Sequence, residues 1–433
     1  MYRRTVFTCL LLWLIATNAY ASGFGVFTQG AKGLGQANSV VAHPTGASSL
    51  YFNPALLTAV SGRQFEIGST AILTDRTLSS SASGLSYEGD NDWKTPSTLY
   101  YTEEHGRLAA GIGLYFPFGL ATTWPTGYEG RYISTSADLF SLNINPVIAY
   151  RVSDRLSLAA GIDLLYLSAE LQNSVNQVFA GIAVPPALGG PINDPTMPDV
   201  RQRFDGEGWG RGLNLGLTYR FNDQWTLGAT YRSPIDVKVD GSASFDQVDP
   251  RLALFFPATT GSADIHLPAQ ATAGLALSIT PELTVELGAR WEGWSDFNEL
   301  RINLDTPVLG QSASVMPRNW DDTWAVNIGG DYQLTPTVTL LAGYLYGQNP
   351  APDSTFDPSI PDSDAQLLTV GSNVTLNQWT LALAYGYEFH RDRTKNNAIG
   401  DPLDPGGLNP ASFANGQYSA NIHLVAFSAG YAF

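Results

Sequence analysis

The chain has 433 residues and a formal charge of −16, with 39 acidic against 23 basic side chains. That balance excludes nucleic acid as a partner, because such binding rests on Lys and Arg neutralising phosphates. Charged residues make up only 14% of the chain and aromatics 12%, against about 25% charged in ordinary soluble domains; this is too little charge to cover a large water-facing surface.

The first residues predict an exported protein. Arg3 and Arg4 precede a nearly continuous apolar run over 5–16, and Ala19-Tyr20-Ala21 supplies a small-x-small cleavage pattern. This reads as a signal peptide over 1–21, with the mature chain starting at Ser22. Removing two arginines and no acids takes the charge from −16 to −18. The only cysteine, Cys9, leaves with the signal, so no disulfide or cysteine metal site is expected. No other apolar run reaches the roughly 18 residues of a membrane helix.

Residues 22–61 do not alternate. They are rich in Gly, Ala, Ser and Asn, with helical potential around 30–41. Too polar for a wall strand, they are expected to plug a lumen, because irregular backbone at membrane depth is tolerated only where protein or water surrounds it.

From residue 62 onward apolar and small or polar residues alternate with period two. Leu283, Val285, Leu287, Ala289 and Trp291 interleave with Thr284, Glu286, Gly288, Arg290 and Glu292. Fourteen segments follow this pattern: 62–73, 94–103, 106–117, 138–151, 155–171, 206–221, 224–240, 265–279, 282–299, 319–334, 337–347, 365–376, 378–390 and 416–433. Their joints alternate in length. Tight turns are expected at 104–106, 153–154, 222–223, 281, 335–336 and 377, and long loops at 74–93, 118–137, 172–205, 241–264, 300–318, 348–364 and 391–415. Short turns at one end, long loops at the other and an even strand number predict an all-β, transmembrane antiparallel barrel in the outer membrane of a Gram-negative bacterium, with the apolar set facing lipid. The expected division is a signal over 1–21, a hatch over 22–61 and the barrel over 62–433. Trp225, Tyr231, Trp291, Trp294, Trp320, Trp324, Tyr344, Tyr346, Trp379 and Tyr387 recur near segment ends and are expected to form interfacial girdles. The last strand ends on Phe433, resembling the signal read by the barrel-assembly machinery.

Ser22-Gly23-Phe24, Ala31-Lys32-Gly33-Leu34-Gly35-Gln36-Ala37 and Tyr51-Phe52-Asn53-Pro54-Ala55 resemble the mature start of the FadL-type outer-membrane transporters of long-chain fatty acids and aromatic hydrocarbons. Tyr115-Phe116-Pro117-Phe118-Gly119-Leu120, Leu227 to Pro234, Leu267-Pro268, Trp291 to Phe297 and Ile360-Pro361-Asp362-Ser363-Asp364 continue the likeness, which covers 22–433. A basic residue is expected soon after the last motif in fatty-acid carriers; Ala365-Gln366 stand there instead. The resemblance implies a fourteen-stranded barrel with an N-terminal hatch. It also implies ligand capture at the extracellular face, an internal apolar pocket touched by the N-terminus, and sideways exit at a kink in the third strand.

On this reading Phe24 is a pocket residue or a hatch anchor. Gly33, Gly35, Asn53, Pro54 and Ala55 belong to the hatch, with Asn and Pro suited to fixing its bends. Gly111, Gly113 and Pro117 are candidates for the kink. Arg232 and Arg290 fall on lumen faces, where each either grips a substrate carboxylate or pairs with an acid such as Glu286 or Glu292. Neither a Gly-x-Ser-x-Gly elbow nor a His-Glu-x-x-His motif is present, and His43, His105, His266, His390 and His423 are scattered, so no enzyme, metal or cofactor is expected. The acids of 88–92 lack the glycine and terminal glutamate of a calcium loop. The expected partners are a hydrophobic small molecule, outer-membrane lipid and lipopolysaccharide, and the assembly machinery, with a monomer as the functional unit. The competing functions are a general or anion-selective diffusion porin and an adhesion barrel.

Overall fold

Alternating side chains leave a strand with two unlike faces, and its backbone groups find partners in lipid only if the sheet closes on itself. The computed structural model, which describes residues 23–433 apart from 183, 193 and 402–408, shows such a closed sheet. The expected signal and its cleavage point lie outside the described residues. The first seven wall strands are β1 (Arg63–Ser80), β2 (Ser97–His105), β3 (Leu108–Tyr115, resuming as Gly119–Thr123), β4 (Ser136–Arg151), β5 (Leu156–Val175), β6 (Val200–Arg220) and β7 (Trp225–Arg232, resuming as Ile235–Asp246). Then come β8 (Thr259–Leu267, resuming as Gln270–Thr280), β9 (Leu283–Glu292, then Glu299–Val308), β10 (Gln311–Pro317, then Thr323–Gln333), β11 (Val338–Gly347), β12 (Ala365–Leu376), β13 (Trp379–His390) and β14 (Gly416–Ala432). Each pairs antiparallel with the next, and β14 returns to β1 from Gln64↔Ala432 to Ser80↔Gly416.

The six tight turns fall where expected. Gly106 and Asn377 take the left-handed backbone such turns need, at φ +66° and +56°. The strands are longer than the periodicity suggested. Residues 241–264, expected to be a loop, continue β7 to Asp246 and start β8 at Thr259; 300–318 form another paired extension. These stretches also alternate, as Ala243, Thr259, Ala263 and Ile302 show by being buried.

The outer face carries an apolar belt. On β4 it runs from Phe140 through Ile148 to Tyr150, all exposed. Ten residue steps of about 3.4 Å, tilted by about 40°, give a height of roughly 26 Å, which matches the hydrocarbon band of outer-membrane barrels. Tyr166 and Trp209 mark its upper edge, with ring centroids 5.3 Å apart. Charges begin immediately above, where Arg203 meets Glu170 at 2.9 Å and Asp205 at 2.8 Å. Trp225, Trp324 and Trp379 also face outward. Trp294 and Trp320 do not: both are buried. Each lies in a break between strand halves, where alternation no longer tells inside from outside.

Residues 23–61 fill the lumen. The short helix α1 (Ala31–Gly35) packs on β12, β13 and β14, while α2 (Ser49–Phe52) and the 3-10 turn Pro54–Ala59 reach β3 to β6 on the opposite side. Inward glycines let this segment approach closely. A Cβ at Gly329 would stand 2.1 Å from the Gln36 carbonyl oxygen.

Candidate functional site

A plug made mostly of loops leaves backbone donors that must be satisfied inside the barrel. Glu286 on β9, fully buried, accepts from Val41 N (2.7 Å), Ala42 N (2.9 Å) and His43 Nδ1 (2.8 Å). Asn53 is a second rivet. Its Oδ1 accepts from Ala55 N at 3.1 Å, and its Nδ2 donates to Val41 O at 2.7 Å and to Leu217 O of β6 at 3.0 Å. Pro54 opens the 3-10 turn and Ala55 is buried beside it. Gly33 lies under the Phe52 ring and Gly35 against Leu341.

Above the hatch the chain turns upward and inserts Phe24 into an aromatic basket. Its ring centroid lies 4.7 Å from Trp294, 5.8 Å from Trp320, 6.0 Å from Phe297 and 6.1 Å from Phe118. Gly23 N donates to Asp362 Oδ2 at 2.8 Å. Burial pushes the Asp362 carboxyl up to about 6, and Asp362 lies in the loop outside the membrane-spanning strands.

Beside Phe24 is a cavity of about 490 Å³, lined by Phe24, Val26, Phe27, Leu34, Ile72, Phe116, Phe118, Leu120, Ile360, Leu367 and Leu424 together with a few charged groups. It opens through the wall. The β2–β3 ladder is regular up to Leu99↔Leu114 and then stops. Phe116, Pro117 and Phe118 bulge, so that β3 resumes against β4 only at Gly119↔Phe140. The chain before β2 rejoins β3 higher up, where Asp90 N donates to Thr123 O at 2.9 Å. Between these limits Lys94–Ser97 and Phe116–Ala121 face each other without a ladder and both line the cavity. This window sits level with Phe140, at the top of the apolar belt.

The N-terminal segment serves as a partial third strand at the break. Val26 N donates to Pro117 O and Gly119 N donates to Phe24 O, each at 2.9 Å. Gln29, 1% exposed, clasps Phe116 from inside. Its Nε2 donates to Phe116 O at 2.6 Å, and its Oε1 accepts from Phe116 N at 3.3 Å. Freed backbone at membrane depth is thereby satisfied.

Of the three candidates for the kink, Pro117 lies in the break, while Phe24, expected as a pocket residue or a hatch anchor, lies in the basket beside the cavity; Gly111 and Gly113 lie elsewhere. Both sit in regular ladder, at Thr102↔Gly111 and Tyr100↔Gly113. Their missing side chains seat hatch Leu50, which a Cβ at either would meet at 2.8 Å. Arg232 and Arg290, expected either to grip a ligand carboxylate or to pair with an acid, each pair with an acid. Arg232 pairs with Asp163 and donates to the Tyr115 hydroxyl, each at 2.8 Å, and to Tyr51 O at 3.0 Å. Arg290 pairs with Glu292 at 2.5 Å and lies 4.3 Å from the Phe27 ring centroid. Neither lines the apolar cavity; both border a smaller space of about 60 Å³ beside Phe27 and Tyr51, and their charges are matched there, by Asp163 from another strand for Arg232 and by Glu292 two residues along the same strand for Arg290. Gln29, Trp294 and Trp320 were missed as site residues; the one available signal was the Trp291–Phe297 motif.

A second space, of about 400 Å³, lies below the hatch near the short turns and is lined largely by polar groups, among them Lys32, Gln36, His43, Gln64, Asp331 and Asn373. The apolar cavity thus has an apolar way out through the wall and a plugged, polar way downward.

A family described as outer membrane protein transport protein (OMPP1/FadL/TodX) matches residues 12–433. The chain belongs to this family. It is 26% identical over 409 residues to the long-chain fatty acid transport protein of Escherichia coli K12, covering 87% of this chain and 91% of that one. Among solved structures it is similar to a Pseudomonas aeruginosa FadL homologue, with a TM-score of 0.82, 20% identity, and 95% and 100% of the two chains covered. It is also similar to the P. putida toluene transporter TodX, at a TM-score of 0.71, 21% identity, and 95% and 99% covered. These two likenesses show the fold. Like the rest of the OMPP1/FadL/TodX family, the chain is an outer-membrane transport barrel of a Gram-negative bacterium, and its plugged lumen sets it apart from the open porin kept as the alternative.

Proposed function

We propose that the protein carries hydrophobic small molecules, long-chain fatty acids or aromatic and aliphatic hydrocarbons, from the cell surface into the outer membrane through the β2–β3 window. The observation that supports this most directly is an apolar cavity that opens sideways at the top of the lipid-facing belt while its floor is plugged and polar. Leaving apolar surface in water costs about 25 cal/mol per Å², so an alkyl chain gains by passing directly from cavity to bilayer. The sequence division into signal 1–21, hatch 22–61 and barrel 62–433 enters the same proposal, with membrane lipid and lipopolysaccharide around a monomer and the assembly machinery reading the C-terminal strand.

In this reading Phe24 is the displaceable occupant of the basket. Burying a Phe side chain contributes about 1.5–3 kcal/mol, and each buried methylene about 0.8, so roughly two to four methylenes match it. Asn53, Pro54, Ala55, Gly33 and Gly35 hold the hatch during passage. The decisive experiment is uptake of labelled oleate and toluene by cells producing the protein as their only such carrier, together with planar-bilayer conductance of the purified protein. Uptake with near-zero ion conductance supports the carrier. Steady conductance without uptake of either compound overturns it.

A further inference from the structure

Two cations stand at the window, one on each side of the wall. Arg76 of β1 lies inside, on the cavity lining, and reaches across to Ala121 O of β3 at 3.3 Å. Its Nε is buried with no hydrogen-bond partner among the described residues. Lys94 lies outside, in the segment before β2, and spans the gap to Asp138 of β4 at 3.2 Å, with both side chains about half exposed. Asp138 shares the outward face with Phe140 two residues on, so this pair sits just above the apolar belt, level with the charged collar around Arg203 and Glu170. The window itself opens below that collar.

Three acids also line the cavity, and each stands beside a donor or a basic group. Asp138 has Lys94. Asp362 accepts from Gly23 N and from Ser363 N at 2.9 Å. Glu388 stands 2.9 Å from His390 Nε2. Among the basic side chains of the lining, Arg76 Nε and the two ring nitrogens of His390 are buried without a hydrogen-bond partner among the described residues; of these two side chains, only the guanidinium is always charged, and an acceptor oxygen on a ligand would complete its hydrogen bonding. An anionic head is the ligand chemistry that both cations favour, since hydrogen bonds between ionised groups are the stronger ones.

We propose that Arg76 and Lys94 are the inner and outer thresholds of a head-group path, which makes the preferred cargo an anionic amphiphile of the fatty-acid kind rather than a neutral hydrocarbon. The carboxylate moves from Arg76 in the cavity to Lys94 at the collar while the tail passes through the window below into the outer leaflet. The proposal rests on the carrier reading and adds to it a specificity set by residues outside every motif that carries the family resemblance.

The test compares uptake of oleate with uptake of octadecene, which has a similar tail and no carboxylate, in cells producing the full protein. The ratio of the two is read for the wild type, Arg76→Met, Arg76→Lys and Lys94→Met, each first shown to fold by its heat-modifiable mobility. The oleate-to-octadecene ratio is expected to fall roughly tenfold in Arg76→Met and about threefold in Lys94→Met. Arg76→Lys, which keeps the charge, should recover most of the loss. A parallel fall for both compounds would mean that the side chains only brace the window, and an unchanged ratio would mean they do not meet the cargo; either overturns the proposal. Octadecene uptake without oleate uptake by the wild type overturns it alone, whereas uptake of neither removes the carrier reading and the proposal with it.

Discussion

A carboxyl group at the dry end of a cavity holds its proton longer than one in water. Burial pushes Asp362 and its neighbour Asp364 up to about 6, against about 3.9 in an unfolded chain. A raised folded-state value adds stability that is complete below the unfolded value and is lost as pH rises through the folded one. The barrel should therefore resist heat better at pH 5 than at pH 7.5 by a margin that shrinks in the double variant Asp362→Asn, Asp364→Asn. Melting of the folded, fast-migrating band at both pH values measures it, and an equal margin in the variant would show that other groups set the pH dependence. Asn53 makes a second case at this scale. Asn53→Ala leaves the Val41 and Leu217 carbonyls without their donor, at about 1–3 kcal/mol per buried orphan. The hatch should become open to proteolysis between residues 41 and 60 while the wall stays intact. Asn53 and Phe24 were legible in the sequence because each sits in a short motif whose chemistry is local. Arg290 was half legible, since Glu292 two residues on was among the acids expected to pair with it, but Arg232 was not, because Asp163 is brought to it from another strand.

At the scale of the element, the broken third strand organises the site. A proline between two phenylalanines announces an interruption, since proline removes a ladder donor. What repairs the break is a glutamine from a segment 87 residues away, and no pattern within either segment reveals that contact. Gln29→Leu keeps much of the volume and removes the clasp on Phe116. Uptake through the window should fall by roughly tenfold or more as the freed backbone refolds the edge, with cavity binding of a fluorescent fatty acid changed far less. Equal losses of binding and uptake would place Gln29 in the cavity rather than at the exit. Gly111 and Gly113 behave differently. Valine at either collides with Leu50, and at Gly111 also with the Tyr101 carbonyl, so the expected outcome is a loosened hatch and a lower folded yield. The glycines were read as kink formers because period and composition do not separate a strand that bends from one that makes room.

At the scale of the whole molecule, strand number, turn positions and the plug were visible from periodicity and from the failure of periodicity over residues 22–61. The upper ends of the strands were not, because loops above the membrane alternate as readily as the wall when they pair with one another. Deleting residues 24–41 removes the basket occupant, the clasp and one of the three hatch donors to Glu286 together. Ion conductance in a planar bilayer should rise from near zero to a steady open level, and an unchanged trace would show that the remaining residues close the lumen alone. Phe433, 73% exposed, donates its backbone N–H to Arg63 O at 3.0 Å and packs its ring 5.0 Å from Tyr431. Its deletion should lower the membrane yield without changing the heat resistance of what has folded.

The riveting of the plug to β6 and β9 also constrains the order in which the molecule can be made. Residues 23–61 precede β1, and β1 finds its second neighbour only in β14, the last strand to be synthesised. A finished ring has no doorway for a folded plug whose loops are bonded to Glu286, Leu217 and Asn327 around the circumference. The ring therefore has to be drawn shut round its contents, with the β1–β14 seam as the final stitch. The hatch, made before every wall strand, waits without its permanent partners until β14 arrives.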